Sequence, residues 1–203
     1  MLDVVARRLI DPPLNAAARQ LARSGVGPNA LTLCGFLVGL AAVPLLAAEA
    51  YLAALGCILL NRLADGLDGP VARATGHVSD LGGFLDIVCD FVFYSAVIFG
   101  MALAQPEHAL AAAFLIFSFV GTGSSFLAYA IVAAKRGLST SLRGRKSLYY
   151  LGGLTEGTET FALLVILCVF PQWFPWLAWG FGIACWLTTA GRVLAGWRSF
   201  RDL

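Results

Sequence analysis

The sequence predicts an all-α integral membrane protein, six transmembrane helices preceded by an N-terminal amphipathic helix on the membrane surface. Three observations predict it. Of the 203 residues, 59% are hydrophobic and 13% charged, with a mean hydropathy of +0.80. A soluble domain has roughly 45–50% apolar and about 25% charged residues, so a water-facing surface for this chain is excluded by composition. Apolar stretches recur at about the 20 residues that a spanning helix requires. All 14 lysines and arginines fall on one side of a six-span arrangement.

Residues 3–24 set Val4, Val5, Leu9, Ile10, Leu14, Ala17, Ala18 and Leu21 against Arg7, Arg8, Arg19 and Arg23. This segment is too charged to span a bilayer and amphipathic enough to lie on it, arginines toward lipid phosphates. Pro12-Pro13 is expected to break or kink it. Gly25 to Asn29 reads as a turn with Asn29 capping the next helix. Apolar segments follow at 30–48, 51–72, 83–104, 108–133, 150–170 and 174–196. Residues 1–27 are therefore read as a juxtamembrane segment and 28–203 as the membrane domain. The N-terminus lacks the apolar core and cleavage site of a signal peptide, so the spans themselves act as insertion signals. Cys34, Cys57, Cys89, Cys168 and Cys185 lie singly in apolar stretches, the pattern of small packed hydrophobes rather than of a disulfide frame or a zinc site.

Charge gives the orientation. The basic residues gather before residue 24, at Arg62 and Arg73, between Lys135 and Lys146, and at Arg192, Arg198 and Arg201. The three opposite connections, around Glu49, Gln105 to His108, and Pro171 to Trp173, carry no Lys or Arg. By the positive-inside rule both termini and the 73–81 and 134–148 loops are cytoplasmic.

Asp65, Asp68, Asp86 and Asp90 stand near the facing ends of the second and third spans, in a chain with 12 acidic residues. A charge at the centre of a spanning helix costs on the order of 2.5–3.5 kcal/mol on insertion scales, so it persists where it is paired, hydrated or metal-bound. Spacings of three and four put each pair on one helix face. Two such pairs on adjoining helix ends hold hard divalent cations through oxygen ligands. Gly69 and Gly82 leave room for a close-approaching backbone or phosphate, and Arg73 supplies a cation suited to phosphate. Ion pairing with Arg62 and Arg73 alone sets four negative charges against two positive ones and leaves the site unbalanced.

The run Asp65, Asp68, Gly69, Ala72, Arg73, then eight residues, then Gly82, Asp86 and Asp90 resembles the signature of the CDP-alcohol phosphotransferase family, DxxDGxxAR followed by GxxxDxxxD, with every fixed position matched. Pro28-Asn29-Ala30-Leu31-Thr32 is similar to the Pro-Asn-x-Leu-Thr stretch before the first span in that family. The resemblance implies an enzyme of phospholipid synthesis that passes a substituted phosphate from a CDP-linked donor to an alcohol and releases CMP, using Mg²⁺ or Mn²⁺ as a pair of ions. Asp65, Asp68 and Asp86 become metal ligands, and Asp90 a metal ligand, the base that takes the acceptor's proton, or both. Asp68, Gly69, Ala72, Arg73 and Gly82 become nucleotide contacts, with Ser79 placed to donate a further hydrogen bond. The chain's length resembles that of members using CDP-diacylglycerol, and family membership implies a homodimer; nothing in the sequence points to nucleic acid.

For the acceptor, Glu156 and Glu159 stand at the cytoplasmic start of the fifth span. The stretch is similar to one in family members that use phosphorylated polyols, where arginines follow the glutamates; here Gly157 and Thr160 stand instead. It is also similar to the Thr-Glu-Gly stretch of choline and ethanolamine phosphotransferases. Both comparisons favour a non-phosphorylated polar alcohol, the alternative being a phosphorylated polyol such as glycerol phosphate or inositol phosphate. Arg192, inside the last span, needs a partner and is expected to point at the aspartate cavity. Membrane prenyltransferases need two Asp-rich motifs on widely separated helices and more spans. An ion transporter has no use for the Gly-x-x-Ala-Arg element.

Overall fold

The computed structural model describes residues 2–137 and 153–201, with side chains from residue 12 onward. Arg143, Arg145, Lys146 and the first residues of the expected 150–170 span lie outside the described residues. Among those described there are eight α-helices and no strand: α1 Leu2–Arg23, α2 Pro28–Leu40, α3 Ala42–Ala47, α4 Tyr51–Thr75, α5 Asp80–Ala104, α6 Ala109–Lys135, α7 Gly157–Val169 and α8 Phe174–Phe200.

Two local expectations are corrected. α1 runs unbroken through Pro12 and Pro13. Both prolines are exposed, so the carbonyls one turn earlier lose their N–H partners on a solvent-facing side, where water substitutes. The following turns are held in line by Leu14, Ala18 and Leu21, which pack with Leu31, Leu67 and Val71. Asn29 is not the cap of α2: Gly27 occupies the N-cap and Pro28 the first turn. Proline is pre-organised for that position and has no N–H to leave unpaired there.

Four stretches are long and apolar enough to cross a membrane: Pro28–Ala47, formed by α2 and α3 in succession, Asp80–Ala104, Pro106–Lys135 and Pro171–Phe200. This is an integral membrane protein. α7 is apolar but has 13 residues, and α4, with 25 residues, carries Arg62, Asp65, Asp68 and Arg73 in its second half. Length and composition alone therefore support four of the six expected spans. Leu37, Leu52, Phe117, Ile131 and Trp176 are each more than half exposed, a surface suited to hydrocarbon rather than to water.

α4 is the hub: it packs against α1, α2, α3 and α7, while α5 packs against α2, α3 and α6, and α6 against α8. Ile58, Phe93, Ile98, Met101, Leu115, Leu164, Leu167 and Phe174 are buried in one continuous core. The contact of α2 with α4 is backbone-close. A Cβ on Gly35 would lie 2.5 Å from the Cβ of Ala64, and one on Gly39 would lie 2.8 Å from the Phe93 ring and 2.9 Å from Asn61 Nδ2. Asn61 Nδ2 uses that proximity to donate to the Gly35 carbonyl at 3.1 Å. Small residues one turn apart are the usual means of bringing membrane helices together. At the other end of α4, Gly76 adopts φ 71° as the helix C-cap, a conformation glycine takes without penalty. Three further residues lead into α5, so the two aspartate-bearing helices form an open antiparallel hairpin, with α2 and α3 packing against both arms.

Gly35→Val is expected to force α2 off α4 and cost about 1–3 kcal/mol of stability, the range for overpacking. A lower melting temperature in detergent reads this out. Gly56→Ala, which meets nothing within 4 Å, should leave the melting temperature unchanged or raised.

Candidate metal centre

Asp65 and Asp68 project from α4 and Asp86 from α5 so that one carboxylate oxygen of each lies within 4.8 Å of the others, all three residues half-buried. Helical spacing explains the pairing within each helix, and the short Gly76–Ser79 link sets the register between them. Three carboxylate oxygens converging at this spacing are a hard ligand set, fitting Mg²⁺ or Mn²⁺ rather than a soft metal.

Three neighbouring side chains complete the site. Thr32, on α2, donates its hydroxyl to Asp68 Oδ2 at 2.6 Å, fixing that carboxylate from a third helix. Arg62, one turn before Asp65, lies with Nη1 3.3 Å from Asp65 Oδ2 and reaches across to pair with Asp90. Tyr94, one turn after Asp90, donates to Asp90 Oδ2 at 3.2 Å and accepts from Arg62 Nη1 at 2.9 Å. Asp90 is thus held by Arg62 and Tyr94, apart from the converging three. Sequence reasoning offered Arg62 as a simple ion-pair partner and gave Thr32 and Tyr94 no contact. The available signal was their helical spacing: Arg62 is three before Asp65 and Tyr94 four after Asp90.

The glycine and arginine elements of the motif lie alongside. A Cβ on Gly69 would meet Arg73 Nη1 at 3.4 Å, so the exposed Arg73 side chain folds back along the bare face of α4. A Cβ on Gly82 would lie 3.2 Å from Asn29 Oδ1 and 3.4 Å from Ser79 Oγ, which brings the start of α2 against the start of α5. Ala72 is half-buried on the same stretch of α4. Ser79 is the N-cap of α5, its Oγ accepting from Gly82 N at 3.1 Å. A groove of about 480 Å³ opens between Pro28, Asn29, His77 and Ser79.

The expected acceptor residues have structural partners. Glu156 and Glu159 form a reciprocal capping box at the head of α7, with Glu159 Oε2 accepting from Glu156 N at 3.2 Å and Glu156 Oε1 also accepting from Gly153 N at 3.0 Å. Such boxes satisfy backbone donors at a helix start. Arg192 is buried and turned onto α6, donating Nη1 to the Thr122 carbonyl at 2.9 Å with its guanidinium 5.5 Å from the Phe126 ring centroid. Gly153 passes 3.4 Å from Arg192 Nη2, measured from an added Cβ.

Comparison with known proteins gives the chain a family and a shared fold. A family model described as CDP-alcohol phosphatidyltransferase matches residues 26–189. Inner membrane protein YnjF of Escherichia coli (strain K12) is 53% identical over 204 residues, covering 100% of this chain and 98% of that protein. An archaetidylinositol phosphate synthase of Aeropyrum pernix is 32% identical over 149 residues, covering 73% of this chain and 70% of its own. The fold is shared with Mycobacterium tuberculosis phosphatidylinositol phosphate synthase, solved with CDP-DAG bound (TM-score 0.70, 23% identity, 91% of this chain and 93% of that one). Its complex with manganese and citrate is equally similar (TM-score 0.69, 23% identity, 91% and 88%).

Ser79→Ala removes the α5 cap and should cost about 1 kcal/mol of stability, measured as a lower melting temperature. Ser79→Asp, which keeps a capping oxygen, should recover it.

Proposed function

The chain belongs to the CDP-alcohol phosphatidyltransferase family, a family of metal-dependent transferases of substituted phosphate groups, and from that premise we propose that it moves a phosphatidyl group from CDP-diacylglycerol to the hydroxyl of a polar alcohol. The observation that carries this reading is the convergence of Asp65, Asp68 and Asp86 within 4.8 Å beside Gly69, Arg73 and Gly82. A divalent ion held by these carboxylates supplies the charge that neutralises a pyrophosphate and its leaving group. Arg73 and the open backbone at Gly69 and Gly82 bind and orient the CDP moiety, with Ala72 beside them and Ser79 at the rim. Asp90, oriented by Arg62 and Tyr94, receives the proton of the acceptor hydroxyl. The acceptor oxygen then forms its bond to the lipid-bearing phosphorus, the bond from that phosphorus to the bridging oxygen breaks, and CMP departs.

Six spans, with α4 and α7 as the two not supported by length and composition alone, fit this chemistry. The charge pattern supports a reading with both termini and the aspartates at the cytoplasmic face of an inner or plasma membrane, and with α1 and residues 1–27 lying along it. The donor's acyl chains stay in the bilayer while CMP and the acceptor exchange with water. A homodimer is proposed on family resemblance alone.

For the acceptor, the relatives weigh toward a phosphorylated polyol. Two proteins similar to this chain are named archaetidylinositol phosphate synthase and phosphatidylinositol phosphate synthase. This shifts the reading from the neutral alcohol toward its alternative. One local observation supports the neutral or amine-bearing alcohol as a second reading: Gly157 and Thr160 stand where cations follow the glutamates in users of phosphorylated polyols, and both glutamates engage in capping α7.

The purified protein, given CDP-diacylglycerol and Mg²⁺ or Mn²⁺, should release CMP with inositol phosphate or glycerol phosphate and not with inositol, serine or choline. Release with one of the last three instead establishes the second reading, and no release with any of the five overturns the transferase activity. Asp65→Asn, Asp68→Asn, Asp86→Asn and Asp90→Asn should each reduce CMP formation by at least about a hundredfold, as expected for groups acting together, while the protein still inserts and runs as wild type on gel filtration.

A further inference from the structure

The fourth carboxylate and the buried cation beside it carry a further step, which rests on the proposed transferase reading. Arg62 is restrained from every side. Its Nε donates to Asn61 Oδ1 at 3.1 Å, Nη1 to Tyr94 Oη at 2.9 Å, and Nη2 to Asp90, while Nη1 stands 3.3 Å from Asp65. The guanidinium also lies 5.4 Å from the Phe93 ring centroid and 5.3 Å from that of Tyr94, and the side chain is 15% exposed. Asn61 is in turn anchored to the Gly35 carbonyl. This is a planar, pre-organised cation inserted between Asp65, a member of the converging three, and Asp90, which stands outside it.

We propose that Arg62 is a resident counter-cation: it holds Asp90 out of the metal-ligand set, so that the first divalent ion binds Asp65, Asp68 and Asp86 alone and Asp90 stays free to meet the acceptor hydroxyl. Arg62 acts through Asp90 and Asp65 and is a positioning residue. Its charge opposes metal binding through Asp65 while neutralising part of the carboxylate cluster. Removing it should therefore have two effects of opposite sign. The metal binds more tightly, because a competing cation is gone and a fourth carboxylate is released to the ion. Turnover falls, because Asp90 has been drawn toward the ion and away from the acceptor.

The test is a Mn²⁺ titration of the full-length protein in detergent, with free Mn²⁺ followed by electron paramagnetic resonance, alongside CMP release at saturating donor and acceptor. Arg62→Gln, which keeps bulk and hydrogen bonding without charge, should bind the first Mn²⁺ about tenfold more tightly, within the ordinary range of site-to-site coupling. Its kcat should drop about tenfold or more without a rise in the donor KM. Arg62→Lys should keep the wild-type Mn²⁺ affinity. Arg62→Ala repeats the measurement should the glutamine variant fold poorly, because a merely structural loss weakens metal binding rather than strengthening it. Equal or weaker Mn²⁺ binding in both neutral variants overturns the proposal, as does a lysine variant that binds like the neutral ones. If the neutral variants bind Mn²⁺ more tightly but no acceptor yields CMP even with the wild type, the transferase reading fails and the counter-cation stands. CMP release by the wild type with no gain in Mn²⁺ affinity in the variants has the reverse meaning.

Discussion

Mutual repulsion among four carboxylates is the constraint around which the molecule is arranged. Two unit charges within 4.8 Å oppose each other by about 3–4 kcal/mol at an effective dielectric of about 20, and desolvation beside a bilayer adds to that cost. The helices hold this charge together because Asp65, Asp68 and Asp90 are answered locally. Thr32 answers Asp68, Arg62 answers Asp65 and Asp90, and Tyr94 gives a second hydrogen bond to Asp90. The remaining negative charge, concentrated on the converging three, is what a divalent ion held there would neutralise.

The packing serves that arrangement. The close contact of α2 with α4 through Gly35 and Gly39 delivers Thr32 to Asp68 and fixes Asn61 beside Arg62. Behind the site, the buried Phe93 and Tyr94 separate the charged end of the hairpin from a wholly apolar core containing Val97, Ile98 and Met101. Polar precision at one end thus depends on glycine-mediated contact and aromatic packing immediately beneath it. The same logic accounts for α4 falling short of a spanning helix by composition: its second half is committed to charge, and protein rather than lipid surrounds much of it.

The carboxylate spacing, the apolar segments and the matched motif were legible because they depend on local periodicity. The hairpin of α4 and α5 followed directly from them, with Asp65, Asp68 and Asp86 brought together as spacing required. What the residues did not disclose depended on tertiary context. Pro12-Pro13 reads locally as a break, yet the contacts of Leu14, Ala18 and Leu21 keep α1 continuous. Asn29 reads as a cap, but its neighbour Pro28 claims the first turn of α2. Glu156 and Glu159 read from the sequence as acceptor contacts, and the backbone donors they accept show that they also cap α7. The partners of Thr32 and Arg192 lie on other helices, at sequence distances that no local pattern encodes.

The carboxylates, their resident cation and the tyrosine that steadies Asp90 all lie on one continuous stretch from Arg62 to Tyr94, folded back on itself through Gly76. Glu156 and Glu159 head α7, which packs against α4 and α5, and Arg192 lies on α8, which packs against α6 and α7. The proposed metal centre is therefore carried almost entirely by one continuous segment, with Thr32 of α2 joining it from elsewhere in the chain. That segment moved alone into another helical frame would lose the hydroxyl that α2 gives Asp68, so it is contiguous without being self-sufficient.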